Sequence, residues 1–317
     1  MGATLNLEDE VRELAMTGGV DAAAATLAMR MESRAVFSVR GELLVVLYAA
    51  VAMITGGVGW LVRVHHERIG PAGLTIALFV AAALCLALPV RTRLAGRERG
   101  LALDYVLLLG ALLASSAVGF AESRFHWLGD GWALHLLLLA AVHALIAYAL
   151  DSRLVLSVAL TSFAAWLGLD PRFGLLDGAT PWLGLGPRAI GCAAVFAVGA
   201  LAHARGARLV AFRDVYEAFA ANFALAGALA LGFGDGTLWL GAALLVAFAV
   251  AIGRYGLARR RESLVLFAVG YGTVGVIGLE AKVVGSVLLA SNLGLLTVAG
   301  SVLLMLKLHA RLRQADG

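Results

Sequence analysis

Ten apolar segments follow one another along the chain after residue 40, each bounded by short polar or charged stretches. They cover residues 41–64, 70–90, 101–121, 131–150, 152–168, 187–203, 214–233, 236–253, 262–279 and 285–306. Most are close to the roughly 20 residues that an α-helix needs to cross a hydrocarbon core about 30 Å thick. The pattern therefore predicts an all-α protein, a polytopic transmembrane helical bundle of about ten helices.

The chain before the first apolar segment has a different pattern. Leu7, Val11 and Leu14 are spaced to lie on one helical face, the pair Gly18-Gly19 interrupts that helix, and Asp21 is a suitable N-cap for a second helix. Residues 1–38 are accordingly predicted to form a cytoplasmic amphipathic helical hairpin, without a cleavable signal peptide. The transmembrane domain then covers residues 39–308, and residues 309–317 form a cytoplasmic tail.

Composition excludes a water-soluble globular domain. The chain is 61% hydrophobic and 15% charged, with a mean hydropathy of +0.90. A soluble domain of average composition has about 25% charged residues with which to cover its core. The lipid bilayer is therefore the expected partner of most of the surface.

Basic residues indicate the orientation of the helices. If both termini are cytoplasmic, the cytoplasmic segments hold 19 of the 25 basic residues, and each such segment contributes. These arginines lie between apolar runs, so we expect no nucleic acid partner. The excess of arginine over lysine and the high alanine content are typical of a GC-rich bacterial genome. The predicted location is thus the bacterial cytoplasmic (inner) membrane.

A weak internal repeat relates two parts of the chain. The sequence from 154 to 170 has a partial match from 264 to 280, at a constant offset of 110 residues. This offset relates predicted helices three to five to helices seven to nine in the same orientation, which is a parallel repeat.

Two stretches carry a resemblance to a known family. The segment 14–20 (LAMTGGV) leads into the second short helix, and residues 43–86 form a glycine-rich first helix, a short loop and a second helix. In these features the chain resembles the prokaryotic family of predicted membrane proteins catalogued as domain of unknown function 2157. Trp60 stands near the end of the first helix, but the Asn-Trp pair of that family is absent here. The resemblance implies a fold and no established activity.

Polar side chains within predicted membrane helices are candidates for an intramembrane site, because burying them in lipid is costly. We expect them to form interhelical hydrogen bonds, and the alternative is a polar cavity for a proton or small solute. The candidates are His135, His143, Glu217, Asn222 and Asn292.

Metal and catalytic sites have little support. Glu122 and His126 are four residues apart and would share a metal only if their helix continued that far. An interfacial polar belt explains them better, so we predict no cofactor. Cys85 and Cys192 lie in apolar segments and are expected to be inert thiols. No phosphate-binding loop, zinc-protease motif or nucleophile elbow is present, so the chain is not expected to be an enzyme.

Two functions fit this picture. The first is a non-catalytic envelope scaffold or sensor whose residues 1–38 meet a cytoplasmic protein partner. The second is a secondary transporter of a small solute that resembles the ten-helix drug/metabolite transporters, which are built from two inverted five-helix halves. The parallel repeat favours the first. The sequence leaves the oligomeric state open.

Overall fold

A computed structural model describes residues 40–96, 101–169, 181–204, 210–234, 236–284 and 287–314. The hairpin predicted over residues 1–38 lies outside this part of the chain. Within it, every regular element is helical and no residue is in a β-strand. The prediction of an all-α fold is confirmed.

Ten α-helices make up the described chain, as the apolar pattern predicts, together with a short 3₁₀ turn over Gly129–Gly131. We number them α1 to α10 in chain order. Their bounds are Arg40–Ile69, Pro71–Leu94, Leu101–Phe125, Leu134–Leu150, Arg153–Leu169, Pro181–His203, Val210–Phe233, Leu238–Ala258, Glu262–Val283 and Val287–Gln314.

Glycine and proline fix two of the boundaries. Gly70 has φ +80°, a backbone conformation that ends α1, and Pro71 occupies the first turn of α2, where its missing N–H costs no helical hydrogen bond. Pro181 likewise begins α6, so this helix starts six residues before the predicted position 187 and contains Pro187. Proline is compatible with the start of a helix, because the N–H groups of the first turn have no helical acceptor.

Seven of the ten helices (α2, α3 and α6 to α10) are long and apolar enough to cross a membrane. The apolar part of α1, Val45–Trp60, and the 17-residue helices α4 and α5 are shorter. Seventeen residues span about 25 Å, the lower limit for a membrane helix. By length and composition, these are the helices of a multi-pass membrane protein.

The helices form a row of hairpins. Each helix packs on its neighbours in sequence, and each odd-numbered helix also packs on the next odd-numbered one, from α1 through α9. Among the described residues, no helix packs extensively on one more than two positions away. The fold is therefore close to one-dimensional, like that of a helical repeat protein.

The turns repeat along this row. Gly96, Asp151 and Arg260 follow α2, α4 and α8, and all three have left-handed backbone conformations, with φ between +51° and +66°. After Asp151 and after Arg260, the next backbone N–H bonds the carbonyl five residues earlier, so the two turns match at a spacing of 109 residues. The helix pairs that pack among α3, α4 and α5 have counterparts among α7, α8 and α9, four helices later. They also have counterparts among α5, α6 and α7, only two helices later. The structural repeat is thus a helical hairpin.

The largest buried cluster occupies the centre of the row, where α3, α4, α5, α6 and α7 meet. Phe196 of α6 is 1% exposed, and its ring makes edge contacts with Phe163, Phe219 and Phe223 at centroid distances of 5.5–6.0 Å. Such aromatic pairs add to the dispersion energy of packing. This cluster joins the first five helices to the last five.

Candidate functional site

Polar contacts connect successive hairpins at one end of the row, where α2, α4, α6 and α8 finish. Arg93 at the end of α2 donates to Asp151 after α4 at 3.0 Å, and Arg261 after α8 bonds Asp214 at the start of α7. We call this the arginine end because of the described arginines that lie there, which are Arg91, Arg93, Arg153, Arg213, Arg254, Arg259, Arg260 and Arg261.

The densest polar group at this end joins α7, α8 and the turn after α8. Glu217 Oε1 accepts hydrogen bonds from Arg213 Nε at 2.6 Å and from the Tyr255 hydroxyl at 2.7 Å. Arg213 Nη2 also donates to the Tyr255 oxygen at 2.9 Å. Arg261 approaches the other carboxylate oxygen of Glu217 at 3.8 Å and is itself paired with Asp214. We call these five residues the Arg213 cluster.

Burial makes the central pair of this cluster strong. The side chains of Arg213 and Glu217 are only 19% and 10% exposed, whereas those of Arg93 and Asp151 are 37% and 40% exposed. Screening by water is weak at a buried pair, and the loss of one partner would leave the other charge desolvated. Two arginines against two carboxylates leave the cluster neutral, so it is built to hold α7 and α8 together.

A second polar chain lies beside the first and connects α4, α6 and α7. His203 Nδ1 donates to the Gly199 carbonyl at 2.7 Å, so the Nε2 atom of the neutral ring accepts from the Tyr148 hydroxyl at 2.9 Å. That hydroxyl has no second proton, and the Tyr216 hydroxyl must therefore donate to it, also at 2.9 Å. When the histidine is neutral, the donors of this hydrogen-bond network are therefore fixed: Tyr216 donates to Tyr148, and Tyr148 donates to His203.

The predicted candidates are spread over three helices. His143 of α4 is fully buried, and among the described residues neither ring nitrogen has a hydrogen bond of ordinary geometry; its polar neighbour is the backbone of Ala111. His135 lies at the opposite end of α4 and contacts the Trp132 carbonyl.

The other three candidates are on later helices. Glu217 belongs to the Arg213 cluster, while Asn222 donates to the Ala218 carbonyl of its own helix at 3.2 Å. Asn292 is exposed on α10. The structure therefore does not gather the five candidates around one cavity, and the role of each remains a prediction.

The pair proposed for a metal does not share a helical face. Helix α3 ends at Phe125, and His126 has φ +48°. Glu122 is 7% exposed and accepts a hydrogen bond from the Leu128 backbone N–H at 3.2 Å, so its carboxylate stabilises the turn after α3. In the described part of the chain, no three His, Cys, Asp or Glu side chains are grouped as metal ligands.

Several members of the two polar groups escaped prediction from the sequence. Tyr148, His203 and Tyr255 lie in the last turn of α4, α6 and α8, and all three face α7. Their common signal is an aromatic hydroxyl or imidazole that precedes an arginine by two to five residues in the sequence. In the sequence the arginines indicate only orientation, and no spacing relates them to these side chains.

Comparisons of the chain with protein families, curated proteins and solved structures find no match. The resemblance to the predicted membrane protein family stays a prediction.

Proposed function

We propose that this chain is a non-catalytic protein of the bacterial inner membrane that serves as a scaffold or sensor. Both termini would lie in the cytoplasm, on the side of the arginine end, because basic residues are retained on that side of a membrane. Residues 1–38 would then project from the start of α1 on the same side and meet a cytoplasmic protein.

The observation that carries this proposal is that polar side chains in the helices bond one another across helix contacts. Besides the two groups at the arginine end, Thr273 of α9 donates to Ser301 of α10 at 2.7 Å, and Thr297 of α10 donates to Glu280 at 2.8 Å. At the end opposite the arginines, Lys282 Nζ donates to the Phe233 carbonyl at 2.8 Å. Such bonds stabilise one arrangement of the helices.

The helix contacts count against the transporter alternative. An inverted repeat of five helices would equate α1 and α3 with α6 and α8, yet α1 packs on α3 while α6 and α8 make no extensive contact among their described residues. Glu217, the candidate coupling group, is held by an arginine and a tyrosine.

Deletion of residues 1–38 tests the proposal. We expect the truncated chain to reach the membrane and retain its helices but to lose a protein that cross-links to the full-length chain in cells, because the partner would bind the hairpin. A chain lacking residues 309–317 is the matched control and should retain that partner. Identical cross-linked partners for the full-length and truncated chains would contradict the proposal.

A further inference from the structure

A lateral groove runs between α6 and α8, with α7 as its floor. Its volume is about 560 Å³, and half of the side chains that line it are alanines. The lining side chains of α6 and α8 form the two walls. Because these two helices make no extensive contact with each other, the groove opens sideways between them. The lining alanines are Ala193, Ala194, Ala197, Ala200, Ala220, Ala221, Ala224 and Ala251.

The length of the groove matches one leaflet of a bilayer. On α7 its lining extends from Arg213 to Ala224, eleven residues apart, and a helix rises about 16 Å over that distance. Half of a hydrocarbon core about 30 Å thick is nearly the same length. The groove therefore extends from the arginine end to the depth of the membrane centre.

The groove has one polar end. Arg213, Glu217 and Tyr255 line it at the arginine end, and every other lining residue is apolar. In the apolar part of the groove, the side chains of Ala194 and Ala197 on α6 are exposed and do not pack against a neighbouring helix. Alanine faces in membranes usually allow helices to approach closely. Here no described helix fills the gap, and in a bilayer a gap of this shape is filled by a lipid chain, since an empty one would forfeit dispersion contacts.

Charge at the mouth of the groove selects an anion. Five arginines stand against three carboxylates in the first two turns of α7, the last two turns of α8, the turn after α8 and the first turn of α9. Arg254 and Arg259 are exposed there, and the Arg259 guanidinium lies 5.7 Å above the ring of Tyr255, which lines the groove. Arginine near a membrane surface attracts anionic headgroups and bonds phosphate oxygens.

We propose that the groove holds one acyl chain of an anionic phospholipid from the leaflet at the arginine end, with the phosphate bound at Arg254 and Arg259. The acyl chain lies over α7 along the alanines, and the headgroup remains at the interface. Arg213 and Glu217 form the boundary between the two parts. This site does not depend on the scaffold or sensor function proposed above.

Native mass spectrometry of the purified full-length chain, titrated with phosphatidylglycerol or phosphatidylcholine of the same acyl chains, tests the site. We expect one tightly bound phosphatidylglycerol, with an affinity at least about tenfold above that of phosphatidylcholine. Ala197→Phe fills the groove and should abolish this binding, whereas Val198→Phe, at a 66% exposed position outside the lining, should not.

A second pair of variants tests the headgroup contact without touching the core. Arg259→Gln should weaken phosphatidylglycerol binding about fivefold. Arg91→Gln removes an exposed arginine from the same end but far along the row, and should have no effect. Equal affinity for the two lipids would overturn the proposal, and so would full binding by Ala197→Phe or Arg259→Gln. Displacement of phosphatidylglycerol by palmitate at equal concentration would assign the groove to free fatty acids and would also overturn it.

Discussion

Replacement of Gly241 by alanine is expected to destabilise the protein by about 3 kcal/mol or more, or to prevent folding, because no side chain can move aside to relieve the overlap. A Cβ atom on Gly241 of α8 would overlap the backbone nitrogen of Gly232 on α7 and lie 2.6 Å from the Leu231 carbonyl carbon. The two helices cross here backbone against backbone, next to a turn in which the Thr237 hydroxyl donates to the Leu231 carbonyl at 2.7 Å. Small residues permit this approach.

Thermal unfolding of the purified protein in a mild detergent measures this effect. Gly270→Ala and Gly272→Ala in α9 are matched controls, since a Cβ atom at either position meets nothing within 4 Å. Alanine is the better helix former by about 0.5–1 kcal/mol, so both controls should leave the unfolding temperature unchanged or slightly raised. If Gly241→Ala unfolded at the temperature of the controls, the described packing of α7 on α8 would be wrong.

Glu217→Ala is expected to lower the free energy of unfolding by about 3 kcal/mol, because it leaves Arg213 and the Tyr255 hydroxyl without their acceptor in a largely buried site. Glu217→Gln keeps an acceptor oxygen and should cost less. Arg93→Ala breaks the exposed ion pair with Asp151 and should cost less than about 1 kcal/mol. Chemical or thermal unfolding in the same detergent compares all three.

A double variant distinguishes a lost ion pair from lost packing. Replacement of both Arg213 and Glu217 by leucine removes the two charges together, and we expect it to be more stable than Glu217→Ala. If the destabilisation of the double variant equalled the sum of those of Arg213→Leu and Glu217→Leu made singly, the two charges would not act on each other. Such additivity would contradict the assignment of Arg213 and Glu217 as the central pair of the cluster.

Local sequence signals predicted the elements of this fold well. The pair Gly70-Pro71 marks a helix end and a helix start within two residues, and the apolar runs are long enough to identify each helix. A glycine or proline is enough to predict a helix end where backbone geometry alone ends the helix. Pro181 shows the limit of that logic, since proline terminates a preceding helix as readily as it begins a following one.

Contacts between distant segments could not be predicted in the same way. Tyr148 meets His203 and Tyr216, which lie 55 and 68 residues further along, and no periodicity relates them. Their pairing depends on which helices are neighbours in the row. A metal shared by Glu122 and His126 likewise required the helix to continue through His126. The helix ends one residue earlier, at Phe125, and the Glu122 side chain stabilises the turn that follows.

The weak sequence repeat, a unit of four helices, stays a prediction, because the helix contacts already recur at a shift of two helices. Asp151 and Arg260 occupy equivalent left-handed positions, 109 residues apart, although their side chains differ in charge. The two turns share their backbone conformation and hydrogen bond but not their residue type. A comparison of residue types alone gives little indication of such a shared turn conformation.

The most direct test of a ten-helix protein with both termini in the cytoplasm is the side of the membrane to which each described turn is exposed. Single cysteines placed at Gly96, Asp151 and Arg260, and at Gly129, Gly236 and Val284, would be labelled in intact cells with a membrane-impermeant maleimide, in a background lacking Cys85 and Cys192. We predict that the second set is labelled in intact cells and that the first is labelled only after the cells are opened. Labelling of both sets in intact cells, or of the first set alone, would contradict it.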